Sequence, residues 1–192
     1  MSLRLFAAAL AVCLAPLAAR AADDEHPYKN VKVGDFATYK IDTRIAGVPV
    51  SGVMTRTVTA KSDKEATVKS ATKLSFNGVE KELTVPDEKI PLDKPYDPSN
   101  LGEAGGVAAG SESKKVNEGK EKIKVAGKEY EAAWTTYKLK TKNMGQDIDA
   151  DLKVWMSRDI PMGVAKMELK AVIAKQELAL TMELTETGTK KP

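Results

Sequence analysis

From residue 147 onward, apolar and polar residues alternate almost one for one. Ile148, Ala150, Leu152, Val154 and Met156 share one phase. Ala165, Met167, Leu169, Ala171 and Ile173 follow in a second run, and Leu178, Leu180, Met182 and Leu184 in a third. The opposite phase carries Asp147, Asp149, Asp151 and Lys153, then Lys166, Glu168 and Lys170. Successive side chains of a strand point to opposite faces, so the pattern predicts three strands with one apolar face and one wetted face. Residues 178–185 could pass for a helix by composition, but their period is two.

The N-terminal half repeats the pattern more faintly. A strand is expected after the Gly34-Asp35 turn, carrying Phe36, Tyr39 and Ile41. "VMTRTVTA" and "ATVKSATKLSF" follow, both rich in Thr and Val as strands prefer, and Asn77-Gly78 signals a two-residue hairpin into "VEKELTV". "EKIKV" turns at Ala126-Gly127 into "KEYEAAWTTYKLKT". The sum is an all-β chain of about nine antiparallel strands with no convincing amphipathic helix. Between them, from Pro86 to about Glu118, four prolines and a Gly/Ala-rich stretch break the pattern, and a flexible loop over 86–118 is expected.

An apolar face three strands wide cannot stay in water, because burying one Leu or Met fully is worth ~1.5–3 kcal/mol. The N-terminal strands offer little to cover it: Tyr39, Ile41, Val58, Val68, Leu74 and Phe76 are the large residues in phase. A strongly curved sheet, or half-barrel, with an incompletely filled concavity is therefore expected; the alternative is a two-sheet sandwich. On the half-barrel reading an apolar ligand would meet Leu152, Val154, Met156, Met167, Leu169, Leu180 and Met182. The turn Ile160-Pro161-Met162-Gly163 has no ladder hydrogen bond to offer at Pro161, so it must lie outside the sheet. Ile160 and Met162 would then stand at the rim of the concavity. Trp155 falls out of phase, beside Asp151 and Lys153, and is expected to pack over lysine stems or under a loop; the alternative is a partner or ligand contact.

Composition narrows the chemistry. Residues 1–21 have a positive start, a short apolar run and the small-residue motif "ARA", the pattern of an export signal. The run is too short to span a bilayer and no other is present, so a periplasmic or secreted location without a membrane span is expected. The only cysteine, Cys13, lies inside that signal, and the only histidine, His26, lies in a polar leader over 22–30 expected to be mobile. Cys-His and Ser-His-Asp sites and multi-histidine metal centres are thereby excluded, and no phosphate-cradling glycine motif occurs. Loss of Arg4 and Arg20 with the signal leaves 28 basic against 27 acidic residues, too balanced for a nucleic-acid-binding surface. "DIDAD" lacks the glycine and distal glutamate of a calcium loop, and the methionines fall at core-facing positions or turns. No catalytic residue, metal or cofactor is expected.

"VGDFATYKI", "KVAGKEYEAAWTTYK" and "VWMSRDIPMGVAKMEL" together resemble a group of uncharacterised secreted bacterial β-rich proteins. That group is similar in organisation to the lipoprotein-carrier (Lol-type) half-barrels of the bacterial envelope, in which a curved antiparallel sheet holds acyl chains. The resemblance implies a single β domain over 31–187, with 188–192 as a tail, and a non-enzymatic function. Its partner would be a lipid-like or apolar ligand bound on the concave face. The alternative is a structural or protein-interaction module of the cell envelope with a closed core, whose partner is an envelope protein. The export reading makes a direct prediction: intact-mass analysis of the exported protein should find Ala22 at the N-terminus and no acyl group, whereas an acylated N-terminus at Cys13 would overturn it.

Overall fold

A computed structural model describes residues 26–190, apart from 46–47, 77, 106–111, 144–145 and 174–175. The expected signal, 1–21, lies outside the described residues. Ten antiparallel strands form one sheet: β1 (Asp35–Ile45), β2 (Val48–Lys61), β3 (Glu65–Phe76), β4 (Val79–Thr84), β5 (Glu88–Pro91), β6 (Glu112–Val125), β7 (Lys128–Asn143), β8 (Gln146–Met156), β9 (Val164–Ile173) and β10 (Gln176–Thr189). Their order is β4-β3-β2-β1-β10-β9-β8-β7-β6, with β5 pairing the first half of β3. The sheet is not closed into a barrel; it is a curved half-barrel. The N-terminal half continues the same sheet through the β1–β10 pair instead of forming the second layer of a sandwich.

The alternation read in the C-terminal half is the register of the sheet. Leu152 faces Leu169, Val154 faces Met167, and Met167 faces Met182 in turn. On the outer face Lys138 stands opposite Asp151 and forms an ion pair with it, and Lys153 stands opposite Glu168. Opposite charges at directly paired positions favour this register over its neighbours.

Two turns have the geometry their sequences require. Gly78 (φ 78°) lies in the β3–β4 hairpin, and Ala126 and Gly127 (φ 51° and 72°) close β6–β7 with both central residues left-handed.

Curvature is concentrated at one end of the sheet. Register shifts place one extra residue in β2 beside Val58, in β9 beside Val164 and in β10 after Leu184. Each such bulge bends and twists its strand. The shift in β10 leaves the Leu184 carbonyl available, and the tip of the β6–β7 hairpin reaches it: Ala126 N–H donates to Leu184 O at 3.1 Å. The long β6–β7 hairpin therefore runs past the end of β8 and turns toward β10. Ile123, Val125, Tyr130 and Ala132 share by register the outer face that holds Trp134 and Trp155, and they bury it locally.

Trp155 is the centre of this outer cluster. Its indole N–H donates to Glu121 Oε1, and Lys153 Nζ lies 4.2 Å from its ring centroid and 4.4 Å from that of Trp134. Lys166 stacks on Trp155 from the next strand at 5.0 Å. The sequence expectation was packing over lysine stems or under a loop; here two lysines and the β6–β7 hairpin both cover the ring.

The chain departs from the sequence reading between Pro86 and Glu118. β5, a 3-10 helix (Pro98–Gly105) and the first half of β6 occupy much of the expected loop. β5 is four residues long and exists by pairing with β3, while the start of β6 is exposed and carries no apolar alternation. The 3-10 helix begins at Asp97, whose Oδ1 accepts the Ser99 N–H at 2.9 Å, with Pro98 in the first helical position.

Gly119 permits Trp134 to lie flat over β6, since a Cβ there would sit 2.6 Å from the indole Cζ2. Gly119→Val is expected to cost about 1–3 kcal/mol through overpacking, measured by urea unfolding. The cost should shrink markedly in a Trp134→Ala background, where the clash has no partner.

Candidate functional site

The inner face of the half-barrel is covered by irregular segments of the same chain. Residues 26–34 cross one end of it, and the stretch from Leu92 through the 3-10 helix lies alongside. This strap is tied down by backbone bonds: Gly34 N–H donates to Val58 O at 2.8 Å, Leu92 N–H to Lys64 O at 2.8 Å, and Lys61 Nζ donates to Val31 O at 2.8 Å. Tyr28 and Val31 are buried within it, and so is Leu101 of the 3-10 helix. Residues 26–30 were expected to belong to a mobile leader. Within them His26 and Tyr28 are instead buried against the inner face, while Lys29 and Asn30 stay exposed.

The turn after β8 folds inward beneath the strap. Ser157 N–H donates to Gly163 O at 2.8 Å, and Gly163 N–H to Ile160 O at 2.9 Å, which closes the turn outside the ladder as Pro161 requires. Met162 adopts φ 64°, a left-handed conformation unusual for a non-glycine residue, and its side chain is fully buried. Pro27 of the strap rests on Gly163, and Tyr39 Oη donates across the inner face to Val164 O at 3.2 Å. Ile160 and Met162 therefore do not stand at an open rim. They close the end of the core, since a turn bent under the strap carries its apolar side chains inward.

The structure brings the other expected ligand-facing residues together in the same core. Leu152, Val154, Met167, Leu169 and Met182, with Ile160 and Met162, are at most 2% exposed, and Met156 and Leu180 are half-buried. Asp149 and Asp151 lie on the outer face, exposed; the side chain of Asp147 is outside the described residues.

Beneath the strap sits a charged group that alternation could have revealed. Arg56 shares the inward phase of Met54 and Val58 on β2 and is buried, its guanidinium donating to Glu88 on β5. Burial opposes its charge, and the Glu88 carboxylate paired with it offsets that effect and keeps the guanidinium charged. Desolvation raises the pKa of all three tyrosines, so they remain neutral phenols around a fixed cation. The Tyr28 hydroxyl lies near Arg56 and Tyr96 without a hydrogen bond of good geometry. A buried arginine is costly to leave unpaired, so Glu88 locks β5 and the strap to the centre of β2.

His26 completes the strap. Its ring contacts Tyr96 edge-on at 5.4 Å and Tyr28 at 5.9 Å, and its Nδ1 accepts the Tyr28 N–H at 3.3 Å. Burial lowers its pKa, against a smaller opposing effect of a hydrogen bond to the Pro91 backbone.

No family model matches this sequence, and no curated protein does. Among solved structures, a chain of Bacteroides fragilis NCTC 9343 with a YmcC-like fold, assigned as exported, aligns with TM-score 0.45 and 10% identity over 82% of this chain and 97% of its own. A chain of Parabacteroides distasonis ATCC 8503 assigned as a lipoprotein gives TM-score 0.45 and 12% identity over 82% and 96%. MucB gives TM-score 0.35 and 11% identity over 88% of this chain and 56% of MucB. Among the described residues, no helix is long and apolar enough to cross a membrane.

The histidine supplies a test of the strap. Because the folded state holds His26 below its free value of 6.5, the unfolded chain takes up the proton first as pH falls. Stability from this site is complete above about pH 6.5 and declines below it. Urea midpoints measured between pH 7.5 and 5 should show that decline, and His26→Gln should flatten it.

Proposed function

We propose that this chain is an exported, non-enzymatic protein of the cell envelope that works through contacts with another protein, its inner face serving as a closed core. The observation that carries this reading is the burial of Ile160, Met162 and the β8–β10 apolar row beneath the 26–34 strap and the 3-10 helix. A half-barrel that carries an acyl chain needs part of that row open to it. Here the chain's own Tyr28, Ile160 and Met162 occupy the position. The N-terminal export pattern supports an envelope location, and the confinement of the only thiol to that pattern and the burial of the lone histidine in a structural role support a non-catalytic one.

The experiment is a titration of the purified protein with an environment-sensitive fatty-acid probe, paired with mass spectrometry of its solvent extract. Neither saturable binding nor a co-purifying lipid is expected. Ile160→Ser should lower stability by about 2–5 kcal/mol, as large-to-small changes in a core do, with probe fluorescence unchanged. Saturable, stoichiometric probe binding by the wild-type protein would overturn the closed-core reading in favour of a lipid-like ligand on the concave face.

A further inference from the structure

The strap covers only part of the inner face. Along β3 the inward-facing residues run from fully buried to open: Ala66 and Val68 are inaccessible, Ser70, Thr72 and Leu74 are half-buried, and Phe76 is 48% exposed. On β4, Val79 and Leu83 share that face at 69% and 37% exposure. Phe76 pairs with Val79, Leu74 with Lys81, and Thr72 with Leu83, so the exposed residues form one contiguous apolar surface. Lys81 lies in its middle, with no ion pair among the described residues.

β4 is also a sheet edge. Counting the antiparallel alternation from the Phe76–Val79 pair that closes the hairpin, the backbone groups of Glu80, Glu82 and Thr84 face away from β3. The other free edges are blunted. β6 is interrupted by a register shift beside Val116, and β5 ends at Pro91. β4 is regular throughout its six residues.

We propose that β4 is a docking edge for an extended segment of another protein, which adds as a further strand and lays alternate residues on the Leu74–Phe76–Val79–Leu83 surface. The inference rests on the reading of this chain as an interaction module and names the partner's chemistry. Charge selects the occupant. In a symmetric pairing of β4 with a second copy that sets Val79 against Leu83, Lys81 would meet Lys81 and Glu80 would meet Glu82. Like charges directly opposite are destabilising, so the edge disfavours its own kind. A segment with an apolar residue, then an acidic one, then an apolar one at alternate positions meets Val79, Lys81 and Leu83 with complementary groups. The pattern reads the same in both directions, so it fits a parallel or an antiparallel addition.

The probe is the acetylated and amidated peptide Thr-Val-Thr-Glu-Thr-Val-Thr, titrated into the whole protein by NMR with amide exchange read at Glu80, Glu82 and Thr84. Saturable binding with protection of those amides is expected. Lys81→Glu should weaken it, and should favour by about three-fold or more the peptide with Lys in place of Glu, the size expected of one cross-strand charge pair reversed. Val79→Lys should weaken both peptides; each variant is on the surface, and an unchanged thermal melt establishes that it folds. No binding of either peptide by the wild-type protein, or binding that protects β6 instead, would overturn the β4 assignment while leaving the closed-core reading to its own probe titration. Protection of the same amides by protein concentration alone would overturn it in favour of self-association.

Discussion

A single amphipathic sheet has one apolar face and no second layer to cover it. Ten strands with an inward row of Leu, Met, Val and Ile cannot remain flat in water. The solution here is local to one end of the sheet. Bulges curl one end tightly enough for a strap of irregular chain to close it, and the turn after β8 folds its own Ile160 and Met162 into the space. The cover is a strap with a buried tyrosine and a buried histidine, together with a short 3-10 helix.

Irregular chain carries backbone polar groups that must be satisfied when buried, and the strap meets that condition by bonding to strand ends. The Arg56–Glu88 pair performs the same service for a side chain. It spans from the second strand to the sheet edge, so strap, edge strand and core share one electrostatic link. The outer face relies on cross-strand charge pairs and one aromatic–cation cluster. The exposed pairs, though individually weak, fix register, and the cluster anchors the returning β6–β7 hairpin.

How much of this was legible depended on whether the information was local. The phase of β8, β9 and β10 was readable because each strand has one buried and one wet face. The beginning of β6 was not, since both its faces meet solvent and nothing alternates. β5 has four residues and no pattern of its own; only its partner β3 makes it a strand. Tyr28 and His26 sat in a polar stretch beside the export pattern, and their burial is decided by Arg56, Glu88, Pro91 and Tyr96, which lie on later elements of the chain. Arg56 did leave a signal, a cation in phase with Met54 and Val58. Ile160 and Met162 left an ambiguous one, because an apolar turn can project from a sheet or fold under it, and Pro161 fixes only that it leaves the ladder.

The pairing of the first strand with the last has a consequence in time. β1 and β10 lie side by side in the middle of the sheet, and Thr189 Oγ1 donates to Asp35 across a separation of 154 residues. A chain delivered N-terminus first can assemble β1 to β5 and β6 to β9 as two meanders from neighbouring hairpins. It cannot join them until its last strand arrives. Until then β1 and β9 each expose an open edge beside an apolar face, the arrangement most prone to wrong pairing. Contacts this distant also make folding slow. The final fourteen-residue strand is thus the kinetic keystone, and the vulnerable interval in the life of this molecule is the one just before it emerges.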